Sequence, residues 1–176
     1  MPGIDDSLKF KPLSIAVLTV SDTRTLETDT SGATLIDRLE TAGHRLAGRR
    51  LIRDDIPKIR AIVQAWIADA DVDVVLTTGG TGLTGRDVTV EALAPLFEKT
   101  IEGFSVVFHR VSYDSIGLST LNSRATAGVA NGTVIFCLPG STGAVKDGWD
   151  KVISHQLDSR YRPCNLVELM PRLKER

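Results

Sequence analysis

Three short runs are apolar at nearly every position: residues 13–20 (LSIAVLTV), 72–76 (VDVVL) and 133–138 (TVIFCL). Such runs predict strands covered on both faces, because a strand with one wet face alternates apolar and polar positions. Between them the apolar residues switch to a helical period. Ala33, Leu35, Ile36, Leu39 and Ala42 predict a helix from residue 30, closed by Gly43. Ile59, Ile62, Val63, Trp66 and Ile67 share one face of a second helix, with Pro57 in its first turn. Thr89 is expected to cap a third, with Glu91 near its positive end and Pro95 shortening it. Phe104, Val107, Phe108 and Val111 define a fourth after Gly103, and a last helix runs to about Leu157.

Other stretches are less regular. Residues 44–52 are more polar and suit an outer strand, with Arg53-Asp54-Asp55 as the turn after it. Residues 112–132 are the least periodic, with a short helix expected around 121–127. Residues 1–12 read as a flexible leader ending at Pro12, 13–170 as a single domain and 171–176 as a tail.

Strands alternating with helices predict an α/β fold, a three-layer α/β/α sandwich on a mainly parallel central sheet. Right-handed crossovers put every strand-to-helix loop at the same sheet edge. Ser21-Asp22, the glycine-rich turn after residue 76 and the Pro139-Gly140-Ser141-Thr142 turn therefore converge, where ligands of open α/β sheets bind.

Composition narrows the function classes. The 176 residues are 42% apolar and 24% charged, ordinary for one globular domain. With 21 basic and 22 acidic residues the net charge is −1, which argues against a nucleic-acid or anionic-membrane partner. The local basic residues Arg45, Arg49, Arg50 and Arg53 read as solvated charge on an edge strand. No segment approaches the ~20 apolar residues of a membrane span, and the N-terminus is not a secretory signal. Cys137 sits in an apolar run and Cys164 in the tail, with no zinc-type spacing to His44, His109 or His155. The expectation is a cytoplasmic protein with reduced thiols.

The segment VDVVLTTGGTGLTGRD (72–87) carries the most chemistry. A buried strand stops at Gly79-Gly80-Thr81-Gly82, where missing Cβ atoms let backbone amides approach a phosphate. Thr81 adds a hydroxyl, Arg86 a guanidinium and Asp87 a carboxylate able to hold a divalent metal. Asp54 or Asp55 offers a second acid, although acids before Pro57 also suit a helix N-terminus. Asn122, Ser123 and Arg124 are further donors or plain surface, and Ser141 a further donor or a helix cap. GxxxxGK[ST] does not occur, the loop is not read as the dinucleotide fingerprint of GxGxxG with a ribose-binding acid, and no GxSxG marks a serine hydrolase. Donors with carboxylates suit phosphoryl or nucleotidyl transfer through Mg²⁺.

Taken in order, TTGGTG…RD, the Ser21-Asp22 loop and PGST resemble the MoaB/MogA family of molybdenum cofactor biosynthesis proteins. The resemblance spans residues 13–170. GGTGLTGRDVTVEAL, IGLSTLNSRATAGVANGTVIFCLPGST and QLDSRYRPCNL look most like the MoaB branch. It implies Mg-ATP-dependent adenylylation of molybdopterin, with pyrophosphate as second product and other cofactor-biosynthesis proteins as partners. It also implies Asp54 and Asp87 at the metal and triphosphate, as catalytic acids, and Gly79, Gly80, Thr81 and Gly82 under the phosphates. Ser21, Asp22, Arg86, Pro139, Gly140 and Ser141 would complete the pocket, with Ser123 and Arg124 facing the pterin. A homotrimer or homohexamer is implied too, and residues 101–116 carry more apolar side chains than one small sheet face needs. A molybdopterin-binding carrier or assembly subunit without transfer chemistry is the competing reading.

Overall fold

The computed structural model describes residues 1–175. In chain order the elements are β1 (Gly3–Ile4), β2 (Ser14–Val20), α1 (Thr30–Thr41), β3 (Arg45–Ile52), α2 (Ile56–Ala68), β4 (Val74–Thr78), α3 (Thr89–Leu93) and β5 (Lys99–Thr100). There follow α4 (Glu102–Ile116), β6 (Thr126–Ala130), β7 (Thr133–Leu138), α5 (Thr142–Gly148), α6 (Ser154–Leu157), β8 (Tyr161–Arg162) and α7 (Leu166–Leu169). A π-helical turn, Trp149–Ile153, joins α5 to α6.

The three apolar runs become neighbouring central strands. Six strands form one sheet in the order β3-β2-β4-β7-β6-β5; β3, β2, β4 and β7 run parallel, β6 pairs antiparallel with β7, and β5 antiparallel with β6. Alternate residues of β2 feed opposite cores. Ile15 and Val17 pack with Leu35 and Leu39 of α1, Phe104 and Phe108 of α4, and Val145 of α5. Ala16, Leu18 and Val20 pack with Ile59 and Val63 of α2 and Leu93 of α3. Each large aliphatic side chain taken fully out of water contributes roughly 2 kcal/mol, so both faces need their helices. The result is the expected three-layer α/β/α sandwich.

Helix ends follow local chemistry. The buried Asp29 carboxylate caps α1 by accepting from the Gly32 N–H (2.9 Å), and Gly43 closes it at φ +91°. Asp55 caps α2, accepting from the Lys58 N–H (3.0 Å). α3 gives way to a 3-10 turn at Ala94–Leu96, as Pro95 demands.

Four expectations need correction. No helix forms across residues 121–127: Gly117–Asn122 is 3-10 and Thr126–Ala130 is strand β6. β7 offers β6 a free edge, and Gly128 fits beneath the Phe97 ring, which any Cβ there would strike. Thr89 is no cap, since Val88 holds that position and the Thr89 hydroxyl donates to the Gly79 carbonyl (2.8 Å). Arg49 is not solvated edge charge but reaches the buried Asp29. The opening residues run beside the C-terminal segment: Gly3 and Ile4 pair with Arg162 and Tyr161, and the Lys11 N–H donates to Ser159 Oγ (2.9 Å). No helix among the described residues is long and apolar enough to cross a membrane.

Candidate functional site

Strands β2, β4 and β7 run parallel and in register, so their C-terminal ends share one rim. The chain leaves β2 toward β3 on one side, while β4 lies on the other, which separates the two following loops. A crevice of ≈ 440 Å³ opens there, lined by Val20, Ser21, Asp22, Thr23, Asp54, Gly79, Gly80, Thr81, Gly82, Arg86, Asp87, Asn122, Ser123, Pro139 and Gly140. Every site residue expected from the sequence lies on this wall except Arg124 and Ser141. A more apolar hollow of ≈ 400 Å³ lies elsewhere, against α4 and α6, and has no pair of acids.

The glycine loop is shaped by what holds its carbonyls. Gly79 and Gly80 adopt φ +98° and +66°, conformations costly to any residue with a Cβ. The Gly79 carbonyl accepts from the Thr89 hydroxyl, the Gly80 carbonyl from the Thr89 N–H (2.9 Å) and the Thr81 carbonyl from the Arg124 N–H (2.9 Å). Arg124 Nε takes the Gly82 carbonyl at 2.8 Å. In a planar trans peptide the N–H points opposite to the C=O. Four carbonyls drawn to Thr89 and Arg124 thus turn the following amides the other way, the arrangement of an anion-binding nest. The neighbouring loop is tied in by the Thr78 hydroxyl, which donates to the Pro139 carbonyl (2.9 Å).

The acids have distinct environments. Burial raises Asp87, but the hydroxyl and N–H of Thr84 (2.6 and 2.9 Å), helped by the Gly82 amide, outweigh it and hold its carboxyl below the usual range. Asp54 goes the other way: burial, then the charges of Asp22 and Asp87, push it up against the opposing Arg86. Of the two acids in its turn, Asp54 lines the crevice and Asp55 is spent as the α2 cap. Asp22 is held low by Arg86, whose Nε and Nη2 grip it at 2.8 and 2.9 Å, while Nη2 also donates to the Asp54 carbonyl (3.1 Å). Arg86 therefore fastens the β2, β3 and β4 loops together, and at 67% side-chain exposure its outer edge stays open.

Two expected donors face elsewhere. Ser141 caps α5, accepting from the Ala144 N–H (3.1 Å). Arg124 lies behind the loop, lining a separate hollow with Leu83, Thr84, Gly85, Asp87, Val88 and Glu91. Thr84 and Thr89, both shaping the loop, were not singled out as site residues. Only the Thr-x-x-Asp spacing of Thr84 and Asp87 signals the first, and nothing local signals the second.

A family profile described as "Probable molybdopterin binding domain" matches residues 16–159. The chain belongs to that family. Molybdenum cofactor biosynthesis protein B of Escherichia coli (strain K12) is 53% identical over 159 residues, 90% of this chain and 94% of that protein. Its namesake from Bacillus subtilis (strain 168) is 47% identical over 142 residues, 80% of this chain and 84% of that protein. A crystal structure of a molybdenum cofactor biosynthesis protein B superposes with a TM-score of 0.81 at 44% identity, covering 84% of this chain and 92% of that one. The tungsten cofactor synthesizing protein MoaB from Pyrococcus furiosus gives 0.74 at 37% identity, covering 82% and 92%. The resemblance to the MoaB/MogA family and the three-layer fold are both borne out.

The residues fit a shared rather than a self-contained Mg²⁺ site. Among the described residues no cluster of three or more His, Cys, Asp or Glu is able to hold a metal. Mg²⁺ commonly uses only one or two carboxylates and takes its other oxygens from substrate phosphates and water. Asp54 and Asp87 would supply that pair, and a cation beside Asp54 would offset the burial and the Asp22 and Asp87 charges that push its carboxyl up.

Proposed function

We propose that this chain transfers the adenylyl group of Mg-ATP to molybdopterin. An oxygen of the molybdopterin terminal phosphate attacks the α-phosphorus of ATP. A new P–O–P bond forms, the α–β bridging bond breaks, and pyrophosphate leaves with the bonding pair. The observation that carries this reading is the meeting of the glycine-loop nest with Asp54 and Asp87 in one crevice. Backbone amides of the loop would bind phosphate oxygens, and the Thr81 and Ser123 hydroxyls, 3.5 Å apart, would orient the acceptor phosphate. Ser21 and the Pro139-Gly140 turn would close the two sides. Bound Mg²⁺, held by Asp54 and Asp87, would neutralise the charge that builds on the leaving pyrophosphate. Little further chemistry is required of the protein, because positioning and charge stabilisation carry most of such a rate.

The wider setting belongs to the same proposal: a cytoplasmic homotrimer or homohexamer, acting beside other cofactor-biosynthesis proteins. Val106, Val107, Tyr113 and Ile116 on α4, with Leu118 and Leu121 after it, are exposed and form an apolar surface suited to self-association.

One observation favours a carrier without transfer chemistry: Asp22 and Asp87 already have protein partners, Arg86 and Thr84. Pyrophosphate release from molybdopterin, ATP and Mg²⁺ separates the readings. Metal-dependent release that collapses in Asp87→Ala supports transfer. Molybdopterin binding with no ATP binding, measured by equilibrium titration, selects the carrier.

A further inference from the structure

Arg124 divides its donors between the back of the phosphate loop and Glu91. Its N–H takes the Thr81 carbonyl (2.9 Å), Nε the Gly82 carbonyl (2.8 Å) and Nη2 the Asp87 carbonyl (3.0 Å). Nη1 and Nη2 also form a two-pronged pair with Glu91 of α3. A guanidinium carries five N–H donors. With so many engaged on protein oxygens, and the group outside the crevice, Arg124 is not built to grip a ligand. Glu91 touches nothing in the crevice either, yet it holds the fork in the orientation that reaches both carbonyls.

We propose that Arg124 and Glu91 act as one positioning brace for the phosphate loop and its metal-binding acid. Each carbonyl that Arg124 draws backward sends the amide of the next residue forward. The Arg124 main-chain N–H on the Thr81 carbonyl sets the Gly82 N–H, which faces the Asp87 carboxylate, and the side chain holds the same residue from its other end through Nε on the Gly82 carbonyl. Through the Asp87 carbonyl it fixes the backbone from which that carboxylate springs. Displacing such a group by about 1 Å is enough to lower a rate on the order of 100-fold without removing any substrate contact. The inference rests on the proposed site but assigns Glu91 and Arg124 a task that site residues do not share.

The test uses Glu91→Gln, Arg124→Lys and the double variant in the full chain. Glu91 is 45% exposed and Gln keeps its size, so the fold should persist. For pyrophosphate release, either single variant is expected to lower kcat about 10-fold or more, with KM for molybdopterin within about twofold. The double variant should be no worse than the poorer single, because both break one device. An unchanged kcat in Glu91→Gln overturns the brace. So does a raised molybdopterin KM confined to Arg124→Lys, the signature of a direct ligand contact. If the wild-type chain releases no pyrophosphate, transfer chemistry fails as a reading, and molybdopterin titration then decides the brace. Equal, non-additive weakening in both singles supports it; weakening by Arg124→Lys alone, or by neither, refutes it.

Discussion

Asp29→Ala should be among the most destabilising single changes in this chain, although Asp29 touches no ligand-facing residue. Its carboxylate is fully buried and accepts four bonds: from the Thr19 hydroxyl (2.8 Å), the Gly32 N–H (2.9 Å), Arg49 Nη2 (3.0 Å) and, at longer range, the Ser31 hydroxyl (3.4 Å). Losing the helix cap costs about 1 kcal/mol. Stranding the buried Thr19 hydroxyl costs about 1–3 kcal/mol. Unpairing a buried ion pair costs about 3–5 kcal/mol, less here because Arg49 keeps 27% exposure. These penalties overlap, since one carboxylate serves all of these partners, and together they come to about 3–4 kcal/mol. Asp29→Asn keeps the cap through its amide oxygen and turns its NH2 to the Thr19 hydroxyl oxygen, but takes the acceptor from the partly exposed Arg49, so about 1–2 kcal/mol is expected. Arg49→Met should also cost less than Asp29→Ala, because the carboxylate keeps three donors. Urea unfolding reads these as midpoint shifts at constant slope. Equal losses below about 1 kcal/mol in Asp29→Ala and Asp29→Asn would refute the accounting.

Other outcomes follow from the same geometry. Asp54→Asn should abolish adenylyl transfer while leaving the urea midpoint nearly unchanged. Asp55→Ala should cost about 1 kcal/mol as a lost cap and leave transfer intact, so activity loss in Asp55→Ala alone would reverse the assignment. Gly79→Ala should destabilise by roughly 2 kcal/mol or more, because φ is +98° and a Cβ would collide with the Val20 carbonyl. Gly85→Ala, with open space around it, should be near neutral in the same melt. Burial pushes His44 below its ordinary 6.5, partly opposed by Asp158 and Asp73, and its Nδ1 accepts from the Leu13 N–H. The unfolded chain then binds that proton more readily than the folded one. The His44 contribution is therefore complete above pH 6.5 and is lost as pH falls through 6.5 toward the folded value. His44→Asn, which retains an acceptor but does not titrate, should flatten that slope in unfolding curves taken across pH 5–7.

Much of this molecule was legible in one dimension. β2, β4 and β7 announce themselves because a strand buried on both faces must be apolar throughout, and α1, α2 and α4 because one face of each must repeat every 3.6 residues. The turn after β4 was legible for a similar reason: glycines at a strand end mark a tight turn, and Gly79 and Gly80 adopt the positive φ it needs. β6 was not. Ala127, Gly128 and Ala130 have little strand preference of their own, and the strand exists because β7 needs a partner and Phe97 needs a floor. Nor was the direction of Arg124, whose acceptors at Thr81, Gly82 and Asp87 lie some forty positions away along the chain. The choice of Asp54 over Asp55 turned on which carboxylate the α2 N-terminus claims first. Periodicity and backbone freedom are properties of neighbouring residues and can be read from their order. Which carbonyl a guanidinium meets is decided only once the sheet has brought distant loops to one rim.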